Sequence, residues 1–240
     1  MGNKGFFQLL CMGLAFSLMV LVAGCGAGGG EGGNGGTTST TSSGGVVSGT
    51  AIKGPVSGAT VIAYAINANG ARGSQVGSGQ TDGQGNFSIS VGNHSGPLML
   101  QMSGGNYMDE ATGSIMPMGL NDVMTCLISS MPGGSTANGI QITLLTSMAQ
   151  SMAQNMSGGM TPLNIAQANN AVGRYFGVSD ILTSHPIDPT VNVASIPATQ
   201  DMRNYGMTLA AMSQYAKTIG MPHSAGVVTA MMNDASDGVM

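Results

Sequence analysis

Charged residues are scarce in this chain. Only 7% of its 240 residues are Asp, Glu, Lys or Arg, against about a quarter in an average protein. The six Lys and Arg residues form no cluster, so the sequence offers no basic surface for a phosphate backbone, and we predict no nucleic-acid partner. The scarcity of charge does not indicate disorder, because 42% of the residues are apolar and many of them recur at strand or helix spacing.

Aromatic and catalytic residue types are equally sparse. The chain has no Trp and only 4% aromatic residues, which argues against a stacking platform for sugars. Its three histidines, His94, His185 and His223, each stand among turn residues with no partner at metal-ligand spacing. No nucleophile-elbow or zinc-protease motif occurs. We therefore predict a protein that is not an enzyme, with no catalytic residue, no cofactor and no small-molecule substrate.

A single long apolar run occupies the N-terminus. It follows Lys4, extends from residue 5 to residue 23, and ends in small residues before Cys25. A run of this length could also span a bilayer as an uncleaved anchor. Its terminal position and the small residues at its end are typical of a secretory signal instead, and we predict a signal peptide over residues 1–24.

Val22, Ala23, Gly24 and Cys25 resemble the lipobox of bacterial lipoprotein signal peptides. The resemblance implies diacylglyceryl attachment to the Cys25 sulfur, cleavage before Cys25 and acylation of the new amine with a fatty acid such as palmitate. Gly26, rather than Asp, follows the cysteine. In enteric bacteria this is similar to lipoproteins of the outer membrane, so the expected location is the bacterial cell envelope, lipid-anchored at the outer membrane.

Residues 26–45 consist almost entirely of Gly, Ser and Thr. Such a segment cannot bury apolar surface, and together with the lipidated Cys25 it is predicted to be a flexible tether over residues 25–45. If Cys11 leaves with the signal and Cys25 is alkylated, Cys126 is the remaining thiol, so no internal disulfide is expected. Cys126 lies in the apolar run VMTCLIS and is predicted to be a buried small hydrophobe.

Short stretches rich in β-branched residues, separated by turn residues, fill residues 46–144. The segment NFSISV, for example, places Phe87, Ile89 and Val91 on one face. Six or seven such stretches predict an antiparallel β-sandwich domain over residues 46–144.

Two segments of this region, VSGTAIKGPVSGATVIAY and TDGQGNFSISV, resemble the carboxypeptidase-regulatory-like (transthyretin-type) β-sandwich family. The resemblance implies an Ig-like sandwich and assigns no catalytic residue. Within the second segment we expect Asp82 to cap its own turn, Gly85 to adopt an unusual φ and Phe87 to enter the core. The residues that match the family pattern are Gly58, Ala59, Val61, Thr81, Asp82, Gly85 and Phe87.

Helical periodicity replaces strand periodicity over residues 145–240. About four helices are predicted, packed on the sandwich or on one another. Thr161 and Pro162 suit the start of the second helix, and the last helix is predicted to run from Ser224 to about Asn233. The predicted buried stripes are Leu145, Met148, Met152 and Met156; Ile165, Ala168, Val172 and Tyr175; and Met202, Tyr205, Leu209, Met212, Ala216 and Ile219.

The 21 methionines allow one alternative function. Met148, Met152 and Met156 could supply soft thioether ligands to Cu(I). Their spacing is equally typical of the buried face of a helix.

The sequence therefore predicts an α+β protein with an N-terminal antiparallel sandwich and a C-terminal helical region. Its predicted function is that of a non-enzymatic envelope lipoprotein that binds or scaffolds an envelope protein partner. A copper(I)-handling protein is the alternative, and an accessory domain of a hydrolase is a more distant one.

Overall fold

The computed structural model describes residues 44–119, 121–188 and 197–238. These residues belong to one compact unit, Thr41–Met240. The fold is α+β as predicted, because the strands of the described part come first and the helices follow. The strands are β1 (Gly45–Ala51), β2 (Val56–Ser57), β3 (Thr60–Ile66), β4 (Arg72–Gln80), β5 (Asn86–Gly92), β6 (Gly96–Ser103), β7 (Asn106–Met108), β8 (Ile115–Pro117), β9 (Val123–Met131) and β10 (Thr136–Ile142). The helices are α1 (Leu144–Asn155), α2 (Pro162–Phe176), α3 (Gln200–Thr218) and α4 (Gly226–Ala235).

The largest sheet is antiparallel, with the strand order β4-β3-β6-β9. Residues that are paired across its strands share a face, because side chains alternate along each strand. Ala63, Leu100 and Cys126 are aligned in this way and are fully buried. This face lies in the hydrophobic core, and the predicted burial of Cys126 is confirmed.

The second sheet has the order β10-β1-β5 and departs from the antiparallel prediction. β1 and β5 are antiparallel, but β1 and β10 run parallel. Parallel neighbours need a long connection, and here nearly the whole set of strands separates the two. No local pattern in the sequence reveals such a pairing, and the prediction of a wholly antiparallel sandwich is wrong for this pair.

Four strands were not expected from the sequence. β2, β7 and β8 form a small third sheet, and β4 has the sequence RGSQVGSGQ, which shows no apolar alternation. Two glycines of β4 nevertheless have a structural role, because they lie against β5. A Cβ on Gly77 would lie 2.3 Å from the Ser90 carbonyl oxygen, so glycine lets the edges of the two larger sheets approach closely.

The helical region is docked on the edge strand β9 by hydrogen bonds. Ser147 Oγ, near the start of α1, accepts from the Thr125 backbone N–H at 2.9 Å. Thr146 Oγ1 donates to the Thr125 carbonyl oxygen at 2.8 Å, and Asn169 of α2 donates to the Leu127 carbonyl oxygen at 3.3 Å. These contacts satisfy backbone groups that an edge strand leaves unpaired, and the helices thereby protect this edge.

Threonine side chains cap the first two helices, and the predicted start of α2 at Thr161 and Pro162 is confirmed. Thr143 and Thr146 form a capping box at the start of α1, and Thr161 caps α2 with Pro162 in its first turn. The last helix starts at Gly226, two residues later than predicted. The buried stripes are correct in their central positions and wrong at two ends, because Tyr175 and Ile219 are 58% and 54% exposed.

Candidate functional site

A wide groove lies where α1 partly covers the outer face of the four-stranded sheet. Its main cavity has a volume of about 570 Å³ and is lined by the start of β4, by β6 and β9, by α1 and by the segment at Gly159 and Met160. A neighbouring cavity of about 450 Å³ shares Val123, Gln150, Gln154 and Met232 with it. We call the two together the amide groove, because side-chain amides dominate its polar lining: Asn69, Gln101, Gln150, Gln154, Asn121, Asn155 and Asn233.

Hydrogen bonds between the lining side chains hold the amides in place. Gln150 accepts from Thr125 Oγ1 at 3.2 Å through its oxygen. Its nitrogen donates to Gln154 Oε1 at 2.5 Å and to the Met160 sulfur at 3.8 Å. Since Gln150 is almost completely buried, it fixes the floor of the groove while the exposed Gln154 forms part of its rim.

Arg72 is the charged member of the groove lining in the part of the chain that the structure describes. Its guanidinium lies over the Tyr64 ring at 4.9 Å and donates to Gln101 Oε1 at 3.1 Å. No carboxylate is among the described residues that line the groove. The groove can therefore take a polar ligand that is neutral or carries a carboxylate, with the thioethers of Met99, Met160 and Met232 offering apolar contact.

A second polar cluster is buried where α3 meets the turn that follows β1. Lys53 Nζ lies 2.9 Å from Glu110 Oε2, and the two side chains are 1% and 3% exposed. Ser213 of α3 lies between them: it accepts from Lys53 Nζ and donates to Glu110 Oε2 at 2.7 Å. The backbone N–H of Gly54 donates to Glu110 Oε1 at 2.6 Å. The charged side chains of this cluster are almost fully buried and contact one another.

Asp109 extends this cluster towards α4. It is buried, and it accepts from Thr112 Oγ1 at 2.8 Å and from Ser224 Oγ. Burial raises the pKa of the Asp109 carboxyl, but the hydrogen bonds from Ser224 and Thr112 and the charge of Lys53 outweigh it, so that the pKa lies below its usual 3.8.

Tyr107 lies beside both parts of the cluster. Lys53 Nζ is 5.2 Å from the centre of its ring, and the Ala225 backbone N–H donates to its hydroxyl at 3.1 Å. Burial raises the pKa of Tyr107, and the nearby carboxylates of Asp109 and Glu110 add to the effect. Asp109 and Glu110 lie in the turn after β7, and both side chains are buried there.

The histidines and Cys126 have different surroundings in the described part of the chain. His94 Nε2 contacts the Pro97 carbonyl oxygen, and burial lowers the pKa of His185. His223 is half-buried, and its Nδ1 has no hydrogen-bond partner. Burial also raises the pKa of Cys126 well above the usual thiol range, which makes a reactive thiolate unfavourable.

The methionines considered for Cu(I) lie on α1 and at its end. Met148 and Met152 are buried in the hydrophobic core and Met156 is half-buried against it. Within residues 44–119, 121–188 and 197–238, no group of three or more His, Cys, Asp or Glu side chains could hold a metal ion. The predicted lipidation residue Cys25, the lipobox residues Val22, Ala23 and Gly24, and the predicted tether up to residue 43 lie outside the described residues. The predicted tether ends one residue too late, because Gly45 already belongs to β1.

The two segments of the sandwich motif meet in the structure. The Ala59 backbone N–H donates to Thr81 Oγ1 at 2.9 Å, and the Gly58 N–H donates to the Thr81 carbonyl oxygen at 3.1 Å. Asp82 caps its own turn by accepting from the backbone N–H groups of Gln84 and Asn86. The expected positive φ of Gly85 and the expected burial of Phe87 are both observed, and Val61 is also buried.

Sequence reasoning missed both polar sites. Lys53 and Glu110 are 57 residues apart, and Ser213 follows Lys53 by 160 residues, so no local motif connects them. The one available signal was Lys53 itself, a cation between the apolar stretches of β1 and β2 in a chain with few charges. In the sequence, Gln101, Gln150 and Gln154 of the groove do not differ from ordinary polar positions of a strand or a helix.

Comparisons with known proteins do not assign this chain to a family. No protein-family model matches the chain, and no curated protein matches it. Among solved structures, the chain is similar to the crystal structure of a 9R-lipoxygenase from Cyanothece PCC8801, with 12% sequence identity and a TM-score of 0.30. That similarity covers 47% of this chain and 18% of the lipoxygenase chain, and it carries no argument about fold or function.

Proposed function

We propose that the chain is a bacterial cell-envelope lipoprotein whose folded body is a non-enzymatic binding module. The proposed anchor is Cys25, supported by the lipobox-like residues Val22, Ala23 and Gly24 that precede it and the Gly-rich segment that follows. Two or more acyl chains would hold the protein at a membrane essentially permanently. Within the described residues, no helix combines the length and the apolar character that a bilayer span requires.

The anchor has a direct test. In protein purified from bacterial membranes, mass spectrometry should find Cys25 as the first residue, carrying diacylglycerol on its sulfur and an acyl chain on its amine. A Cys25→Ser variant removes the sulfur nucleophile and should keep its signal segment. Recovery of the wild-type protein with an intact Met1 or an unmodified Cys25 thiol would contradict the proposal.

The amide groove is the proposed binding site, and one observation carries this assignment. Neutral hydrogen-bonding side chains, fixed by Thr125 and Gln150, line a concave surface on which Arg72 has no carboxylate partner among the described residues. Preorganised donors and acceptors lose little entropy when a ligand binds, so such a surface favours a polar partner.

The proposed ligand is an extended peptide segment of an envelope protein partner. Side-chain amides such as Gln101 and Gln154 present both donors and acceptors, which match the alternating N–H and C=O groups of a peptide backbone. The flexible thioethers of Met99, Met160 and Met232 can adapt to the apolar side chains of that segment. Arg72 can pair with a carboxylate of the segment through two hydrogen bonds.

Site-specific photo-crosslinking tests the groove. A photoreactive residue placed at Gln154, on the rim, should crosslink in intact cells to one defined segment of a partner. The matched control is the same residue at Gln214, which is also an exposed helical position, on α3, and lies outside the groove lining. Additional replacement of Arg72 by Glu should lower the Gln154 crosslink about tenfold, because a hydrogen bond to a charged group contributes on that scale. Equal crosslinking from Gln154 and Gln214, or none from Gln154, would contradict the assignment.

The type of the sandwich is part of the same proposal. We assign the strands to the transthyretin-type, carboxypeptidase-regulatory-like family. The assignment is supported by the contact of Gly58 and Ala59 with Thr81 and by the turn that Asp82 caps. Such a domain supplies a rigid scaffold. In this chain the outer face of its four-stranded sheet forms one wall of the groove.

A further inference from the structure

We propose that Lys53 and Glu110 become joined by an amide bond between Nζ and Cδ, which makes this pair a site of intramolecular covalent modification. The two side chains are in contact, with Nζ 2.9 Å from Oε2, and they are 1% and 3% exposed. Little of either side chain is in contact with solvent. Reacting groups that are held together in this way behave as if they were present at very high concentration.

The enclosed environment keeps water away from the two reacting groups. An ammonium and a carboxylate lose most of their hydration when they are buried. The groups that face Lys53 are the Tyr107 ring at 5.2 Å, Ser213 Oγ, Glu110 and the charge of the more distant Asp109. The site therefore holds the two components of an amide in a largely desolvated contact.

The neighbouring groups are placed to assist condensation. As Nζ attacks Cδ, negative charge develops on Oε1, which accepts from the Gly54 N–H at 2.6 Å. A fixed backbone donor stabilises charge of this kind. Ser213 Oγ accepts from Nζ and donates to Oε2 at 2.7 Å. Its hydroxyl can therefore relay a proton from the attacking nitrogen to the leaving oxygen.

The step is balanced without any other reactant. The Nζ–Cδ bond forms and the Cδ–Oε2 bond breaks. Two of the three ammonium protons end on Oε2, which leaves as water, and the third stays on the amide nitrogen. No oxidant, metal or nucleotide is needed, and no electron is gained or lost.

The bond would connect the turn after β1 to the turn after β7 and close a loop of 57 residues. It would fix the small sheet β2-β7-β8 to the three-stranded sheet. A covalent closure of this length restricts the unfolded chain in the way that a disulfide does. The only cysteine among the described residues, Cys126, is free and buried. This part of the chain therefore has no disulfide that could restrict the unfolded state.

Peptide mass spectrometry of the full-length protein tests the proposal. After denaturation and digestion, the peptide that contains Lys53 should be recovered joined to the peptide that contains Glu110, lighter than the sum of the two by one water molecule. The Lys53→Arg variant keeps the positive charge and should yield two separate peptides. The matched control Lys217→Arg, at an exposed lysine that bonds only the Ala111 carbonyl oxygen, should keep the joined product.

A second variant separates the chemistry from folding. Ser213→Ala removes the proton relay and leaves Lys53 and Glu110 in place, and it should slow formation of the joined product about a hundredfold while circular dichroism shows an unchanged fold. The proposal is overturned if the folded wild-type protein, incubated for days, still yields the Lys53 and Glu110 peptides separately and at their unmodified masses.

Discussion

Replacement of Gly49 by Ala is expected to destabilise the protein by more than about 3 kcal/mol, beyond the usual range for overpacking. Gly49 lies in the central strand β1, opposite Ile140 of β10 and Phe87 of β5. A Cβ there would lie 1.8 Å from the Ile140 carbonyl oxygen. Because the obstacle is backbone, no side-chain rotation relieves the clash, and β10 must move away from β1.

The measurement is the free energy of unfolding from urea denaturation of the full-length chain, with Gly83→Ala as the matched control. Gly83 lies in the turn between β4 and β5, and a Cβ there would meet nothing within 4 Å. Its replacement should change stability by less than about 0.5 kcal/mol. Equal effects of the two variants would show that β1 and β10 are not as close as described.

Replacement of Glu110 by Ala is expected to cost about 3–5 kcal/mol, because it leaves the buried Lys53 charge without its partner. The Gly54 N–H also loses its acceptor. If the amide forms, the variant loses that closure as well. The effect is measured by the same urea denaturation. Asp234→Ala is the control, because Asp234 lies on an exposed part of α4.

A compensated variant shows whether the unpaired charge causes this loss. Lys53→Met, Glu110→Leu and Ser213→Ala together replace the charged pair and its bridging hydroxyl by apolar side chains of similar size. Apolar replacements of buried ion pairs are often neutral or stabilising. The triple variant should therefore recover at least half of the stability lost in Glu110→Ala. A triple variant as unstable as the single one would point to packing at this site, and the charge explanation would fail.

Local patterns correctly predicted much of the core. Alternation in NFSISV placed Phe87, Ile89 and Val91 inside, and all three are buried. Helical spacing correctly placed Met148, Leu209 and Val172. These predictions succeed because burial of one face of a strand or helix depends on residues that are close in sequence.

Predictions from apolar periodicity and strand propensity failed where tertiary contacts determine the structure. β4 is a strand although RGSQVGSGQ has little strand propensity, because pairing with β3 and the close approach to β5 select glycine there. Tyr175 and Ile219 continue helical stripes but lie beyond the surface that covers them, and both are exposed. Periodicity indicates which face is apolar, and only packing shows where the covering surface ends.

The amino-acid sequence by itself determined the order of strands before helices, most of the apolar faces, the caps at Thr161 and Asp82, and the burial of Cys126. Each of these depends on interactions between residues a few positions apart. Only the tertiary structure decided that β1 and β10 pair in parallel, that the glutamines of α1 and β6 line one groove, and that Lys53, Glu110 and Ser213 meet. Those contacts join residues tens to more than a hundred positions apart in the sequence. Local propensity depends on neighbouring residues and therefore does not specify such contacts.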